Sequence, residues 1–161
     1  MRNTIINRRF KYTDVNATAI LIIINVVVFI LQNIFTKLPY ILSMVPIYIR
    51  IKHWYWQVFT YMFSHVDFWH LFSNMLGLFI FGRLVERSVG SREFLLYYLL
   101  TGTLAGAASY FMYLFSGSLF TVVLGASGAL YAVMLLFAVL FPTAVVYVFG
   151  IIPMRAPLLV I

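Results

Sequence analysis

No cysteine occurs in the 161 residues, so disulfides, thiolate metal sites and a cysteine nucleophile are all excluded. Charge is nearly as scarce: only 9% of the chain is Asp, Glu, Lys or Arg, against about a quarter in a soluble domain. What is present is apolar, 64% hydrophobic and 19% aromatic. A water-soluble fold of this size could not hide so much apolar surface, so lipid is the expected solvent for most of it. The net charge of +7 would suit nucleic acid in a soluble chain. Here the basic residues stand at the ends of apolar runs, where they set topology and meet anionic headgroups, so no nucleic-acid partner is expected. Met1–Tyr12 is basic, but the apolar run behind it is too long for a cleavable signal and lacks a clear small-residue cleavage site.

The expected fold class is an all-α polytopic membrane protein: a basic tail over 1–16, then a membrane domain over 17–161 with spans near 17–36, 68–84, 94–115 and 125–141. Val15–Thr36 has no charged residue and is long enough to cross once. Arg2, Arg8, Arg9 and Lys11 precede it, so the N-terminus is expected on the cytoplasmic side; a bacterial-type plasma membrane is the expected location. Lys37–Asp67 holds two prolines, several charges and many Tyr and Trp residues, and is expected to lie partly in the outer interface. Phe68–Gly82 is short for a span. Phe94–Met154 is free of charge and far too long for one helix, so breaks are expected at Ser116–Ser118 and at Pro142. The tally is eight Lys and Arg inside against three outside. The apolar connection Ser116–Leu124 is expected to dip back into the protein, starting the fourth span below the surface at Gly125-Ala126-Ser127-Gly128.

Ser127 stands between Gly125 and Gly128 at a helix start. Small neighbours admit a substrate backbone, and the first amides of a helix are unpaired donors able to hold an oxyanion. The same small residues also suit plain helix packing, and Gly128 with Ala132 is spaced for close approach. His70 and Asn74, four apart, share a helix face. At membrane depth they either aim at developing negative charge or hold the bundle by an interhelical hydrogen bond. His65, near the outer interface, suits a structural hydrogen-bonding role. A metal site from His65, Asp67 and His70 matches no standard spacing. Glu86, between Arg83 and Arg87, reads as an ion-paired loop anchor, and Gly102 with Gly106 as packing.

Taken together, Phe63-Ser64-His65-Val66-Asp67-Phe68-Trp69-His70-Leu71-Phe72-Ser73-Asn74 resembles the H-x4-H-x3-N signature of rhomboid intramembrane serine proteases. Gly125-Ala126-Ser127-Gly128-Ala129-Leu130-Tyr131-Ala132 resembles their GxSG nucleophile motif. Gly82-Arg83, Glu86 and Gly90-Ser91 resemble the family's loop after the second span. The resemblance covers about residues 54–161. It implies Ser127 as nucleophile, His70 and Asn74 as oxyanion donors beside the Ser127 amide, and Tyr131 as a ring that packs on the dyad histidine. It implies His65 as a structural histidine, transmembrane protein substrates in the lipid bilayer, no cofactor or metal, and a six-helix core of which four helices are present.

Two departures stand out. Trp56-Gln57 replaces the family's frequent Trp-Arg, and no histidine follows His70. Serine needs an adjacent base, and His70 cannot easily be both base and oxyanion donor. The chain is therefore expected to be a piece ending before the helix that carries the dyad histidine, with Ala156–Ile161 opening a further helix. Its rivals are a non-catalytic rhomboid-like protein that binds membrane clients, and a transporter component. The latter is disfavoured because spans three and four offer almost no polar path.

Overall fold

The computed structural model describes residues 15–148 and 152–159. Most of the basic tail, through residue 14, lies outside the described residues. The first span, α1, runs Ala17–Ile34. Asn16 opens it, its side-chain oxygen accepting from the Ala19 amide at 3.1 Å. The run is rich in β-branched residues, which are mediocre helix formers in water. In lipid, helix is what satisfies every backbone group within one segment. Thr18, Leu21, Asn25 and Gln32 face inward, while Ile23, Ile30 and Ile34 are exposed on the lipid side.

The aromatic stretch after α1 forms three short helices, as its prolines dictate: α2 Leu38–Leu42, α3 Pro46–Lys52 and α4 Gln57–Thr60, the last passing into a 3₁₀ turn Tyr61–Phe63. The Lys52 ammonium sits 4.5–5.3 Å from the ring centres of Tyr40, Tyr48 and Trp54, a cation–π arrangement suited to the headgroup level. Gln57, standing where an arginine was in question, is fully buried. It accepts from the Val45 amide and donates to the carbonyls of Tyr40 and Ile41, joining α4 to the α2–α3 stretch.

The second span is longer than the expected 68–84. α5 Phe68–Gly77 continues through a π-helical turn Leu78–Gly82 into α6 Arg83–Val89, 22 residues in all. At 1.5 Å per residue that is about 33 Å, enough to cross. Gly90, at φ 104°, turns the chain into α7 Ser91–Phe115. The fourth apolar helix, α8, spans Ser127–Leu140. Gly125 and Ala126 belong to the turn before it, and it ends ahead of Pro142 as the sequence indicated.

Beyond α8 the structure adds an element the sequence did not predict: β1 Val145–Val148 pairs antiparallel with β2 Ile152–Arg155, and a 3₁₀ turn Ala156–Leu159 follows where a further helix was expected to open. The Ala156 amide donates to the Ala144 carbonyl at 2.9 Å, and the Ala156 side chain is buried. This hairpin is the only sheet among the described residues; otherwise the fold is the expected all-α membrane bundle. Residues 160–161 lie outside the described residues.

The core forms around α7, where Phe94, Tyr98, Gly102 and Gly106 face inward. A β-carbon at Gly106 would lie 2.4 Å from the Val58 carbonyl oxygen, and one at Gly102 would meet Met62 at 2.8 Å. The two glycines therefore serve packing, letting the outer segment close onto α7. Gly128 is packed against α7, the close approach for which its spacing with Ala132 is suited. A β-carbon there would meet Ala105 at 2.9 Å and the Tyr61 hydroxyl at 3.2 Å. The open face of α8 is instead Tyr131, Leu135 and Val139.

Glu86 also departs from expectation. Its carboxylate accepts from the amides of Ala17 and Thr18, the Thr18 hydroxyl and the Ser91 hydroxyl, at 2.6–3.0 Å. It caps the start of α1 and is held by hydrogen bonds, not by Arg83 or Arg87.

Candidate active site

The site forms where α5, the turn before α8 and the outer segment meet. Asp67 caps α5, its carboxylate accepting from the His70 amide at 2.8 Å. This cap fixes the first turn and hence the direction of His70. One turn on, Asn74 is buried and its side-chain N–H donates to the His70 carbonyl at 2.8 Å. A carboxamide nitrogen carries two protons, so one remains free.

Gly125 faces this pair from the other side. Its φ of 110° belongs to the region that favours glycine. A β-carbon there would stand 2.6 Å from His70 Nε2, 2.7 Å from its Cε1 and 3.9 Å from Asn74 Nδ2. The Gly125 amide donates to the Tyr61 carbonyl at 3.0 Å, holding the turn in place. A bridge between Met44 and Val123 and a bond from the Ile47 amide to the Leu119 carbonyl at 3.0 Å hold the strand leading in. The connection thus folds back onto the protein, although Phe120 and Val122 stay exposed.

Two residues past Gly125, Ser127 is the first residue of α8, half-buried, at an N-terminus that no side chain caps. The first amides of such a helix lack intrahelical acceptors. The structure therefore brings His70, Asn74, Gly125 and the start of α8 to one place. Tyr131, one turn beyond Ser127, is 64% exposed and has no described histidine against it. Gly128 turns toward α7.

His65 lies behind His70, its ring 5.1 Å from the His70 ring at 66°, edge to face. It is 96% buried, and neither ring nitrogen makes a hydrogen bond of good geometry. Burial first, and the neighbouring His70 second, lower its pKa to about 4, with the Phe63 carbonyl opposing. His65 is therefore a neutral wall. The expected hydrogen-bonding role belongs to its backbone, whose amide donates to Gln32 Oε1 at 3.2 Å. Gln32 escaped sequence reasoning. Its place among the three carboxamides of an otherwise apolar span, with Asn25 and Asn33, was the signal that could have found it. No cluster of three metal-ligating side chains occurs among the described residues.

Comparison with known proteins supplies the last finding. Residues 52–161 match the family model described as the Rhomboid domain. Over 114 residues, 62% of this chain and 34% of the relative, it is 40% identical to "RHOMBOID-like protein 12, mitochondrial" of Arabidopsis thaliana. It is 34% identical to "Putative rhomboid protease YdcA" of Bacillus subtilis, over 54% of this chain and 43% of that protein. It is 29% identical to "Rhomboid protease GlpG" of Klebsiella pneumoniae, over 71% of this chain and 40% of that protein. The matched stretch thus spans less than half of each relative.

Proposed function

The chain belongs to the rhomboid family, and from that premise we propose that it carries the nucleophile and oxyanion site of an intramembrane serine endopeptidase. Its substrates are transmembrane proteins, cut within the bilayer without metal or cofactor. In this reading the Ser127 hydroxyl attacks the scissile carbonyl, and the negative charge that develops on the carbonyl oxygen meets the Ser127 amide, His70 Nε2 and the free Asn74 N–H. The carrying observation is Gly125, two residues before α8: a β-carbon there would run into His70 and touch Asn74, so both side chains lie close to the turn that opens α8.

The proton leaving Ser127 needs a base, which this chain does not supply. Of its three histidines, His53 is hydrogen-bonded to the Tyr55 hydroxyl in the outer segment, His65 is buried, and His70 serves as donor. The dyad histidine is missing from this chain, and the exposed ring of Tyr131 marks where it would pack. The protein is a multi-pass integral membrane protein; the charge asymmetry supports a cytoplasmic N-terminal flank.

The test is labelling of the chain in proteoliposomes by a fluorophosphonate, with imidazole added as an external base. The expected result is feeble labelling that rises with imidazole, vanishes in Ser127→Ala and falls about 100-fold in Asn74→Ala, as loss of one oxyanion donor does. Labelling unchanged in Ser127→Ala would refute the reading. A Ser127 inert even with imidazole, in a chain that still retains a membrane client, would favour the non-catalytic rival.

A further inference from the structure

Gln32 ties α1 to the segment that leads into the site. It stands near the outer end of the span, 94% buried, where an amide is costly unless both its halves are satisfied. Both are. Its Nε2 donates to the Ser64 hydroxyl at 2.6 Å, and its Oε1 accepts from the His65 amide at 3.2 Å. The orientation is forced, since a backbone N–H can face only the oxygen. Ser64 is buried as well, with its hydroxyl 3.1 Å from that of Ser43. One side chain thus grips two successive residues just before α5.

The consequence reaches further than the loop. The gripped backbone carries the His65 ring, and that ring lies edge to face against His70. Gly125 closes on the same imidazole, leaving no room for a β-carbon beside His70 Nε2 and Cε1. The His70 imidazole is therefore held between a wall set by Gln32 and a backbone that admits no β-carbon. Its own helix fixes only the Cα–Cβ direction, through Asp67; the ring's rotation is left to these two contacts.

We propose that Gln32 is a positioning residue for His70, acting through the Ser64–His65 backbone and the His65 ring. The assignment rests on His70 serving as an oxyanion donor only for its catalytic consequence. The mechanical coupling stands apart from it.

The experiment uses the small number of histidines. With only His53, His65 and His70, isotope-labelled histidine gives three imidazole signals from the chain in nanodiscs. Gln32→Met removes both bonds at nearly constant length, and Gln32→Glu keeps an acceptor for the His65 amide. Should Gln32→Met fail to accumulate, Ser64→Ala removes one of the two grips more mildly. The expected result is that Gln32→Met moves or broadens the His65 and His70 signals and leaves His53 in place, with Gln32→Glu closer to the parent. Imidazole-assisted labelling of Ser127 should fall about 10-fold or more. That loss should disappear when His70 is already alanine, because residues acting as a unit are not additive. A His70 signal unmoved in both Gln32→Met and Ser64→Ala overturns the proposal, as does a labelling loss that persists undiminished in the His70→Ala background. If Ser127 does not label at all, the protease reading fails, while the His70 signal still decides the coupling.

Discussion

His70 Nε2 lies 2.6 Å from where a β-carbon on Gly125 would stand. The backbone cannot yield cheaply, because Gly125 has φ 110° and its amide is committed to the Tyr61 carbonyl, so the His70 ring is the side that must move. Gly125→Ala is therefore expected to swing the imidazole away, strain the turn by about 1–3 kcal/mol and reduce imidazole-assisted Ser127 labelling by about 100-fold or more. The check is the labelling rate alongside thermal unfolding in one detergent. A Gly125→Ala variant that labels like the parent would show that the contact has no bearing on Ser127.

Glu86 is expected to matter for stability and not for chemistry. Replacing it with alanine leaves the amides of Ala17 and Thr18 and two hydroxyls without their acceptor. Loss of a cap and of buried partners together should cost about 2–4 kcal/mol. Glu86→Gln, which keeps one acceptor oxygen, should cost less. Reversible unfolding in mixed micelles measures both. Equal stability of Glu86→Ala and parent would mean that water replaces the carboxylate at no cost.

These two cases show what the sequence could and could not disclose. The spans were legible because hydrocarbon thickness sets a length and a charge filter that local composition answers. His70 and Asn74 were legible as a pair because four residues on a helix return to one face. The α1 partners of Glu86 lie 68 and 69 residues away and those of Gln32 lie 32 and 33 away, and no local pattern encodes such distances. The rotation of α8, which turns Gly128 to Ala105, is likewise set by the neighbour and not by the helix. The hairpin after Pro142 was missed for a related reason. Continuous apolar runs do not separate strand from helix, and pairing such as Val145 with Arg155 is a non-local choice.

A pH dependence follows from His65. Unfolded, a histidine takes a proton near pH 6.5, whereas in the fold His65 does so only near 4. The folded state is thus favoured fully above about pH 6.5 and loses stability as pH falls toward 4, by up to about 1.4 kcal/mol per pH unit for this one group. His65→Phe keeps an edge for the His70 ring and cannot titrate. Its unfolding midpoint should change less between pH 7.5 and 5 than that of the parent. Identical slopes would remove His65 as the source.

Topology is the remaining prediction, and two described residues decide it. Lys37 begins the outer segment before α2, and Arg87 lies in the last turn of α6. The 22-residue helix from Phe68 to Val89 separates the two levels by about 33 Å, so they must lie on opposite faces of the membrane. Which face is which follows from charge. Eight Lys and Arg fall on the N-terminal and Arg87 side and three on the other, and the richer side stays in the cytoplasm. The native chain has no cysteine, so single cysteines report without background. Lys37→Cys should react with an impermeant maleimide added to intact cells, and Arg87→Cys should react only after the membrane is opened. Labelling of Arg87→Cys in sealed cells, with Lys37→Cys protected, would invert the whole assignment and place the Ser127 site at the opposite leaflet.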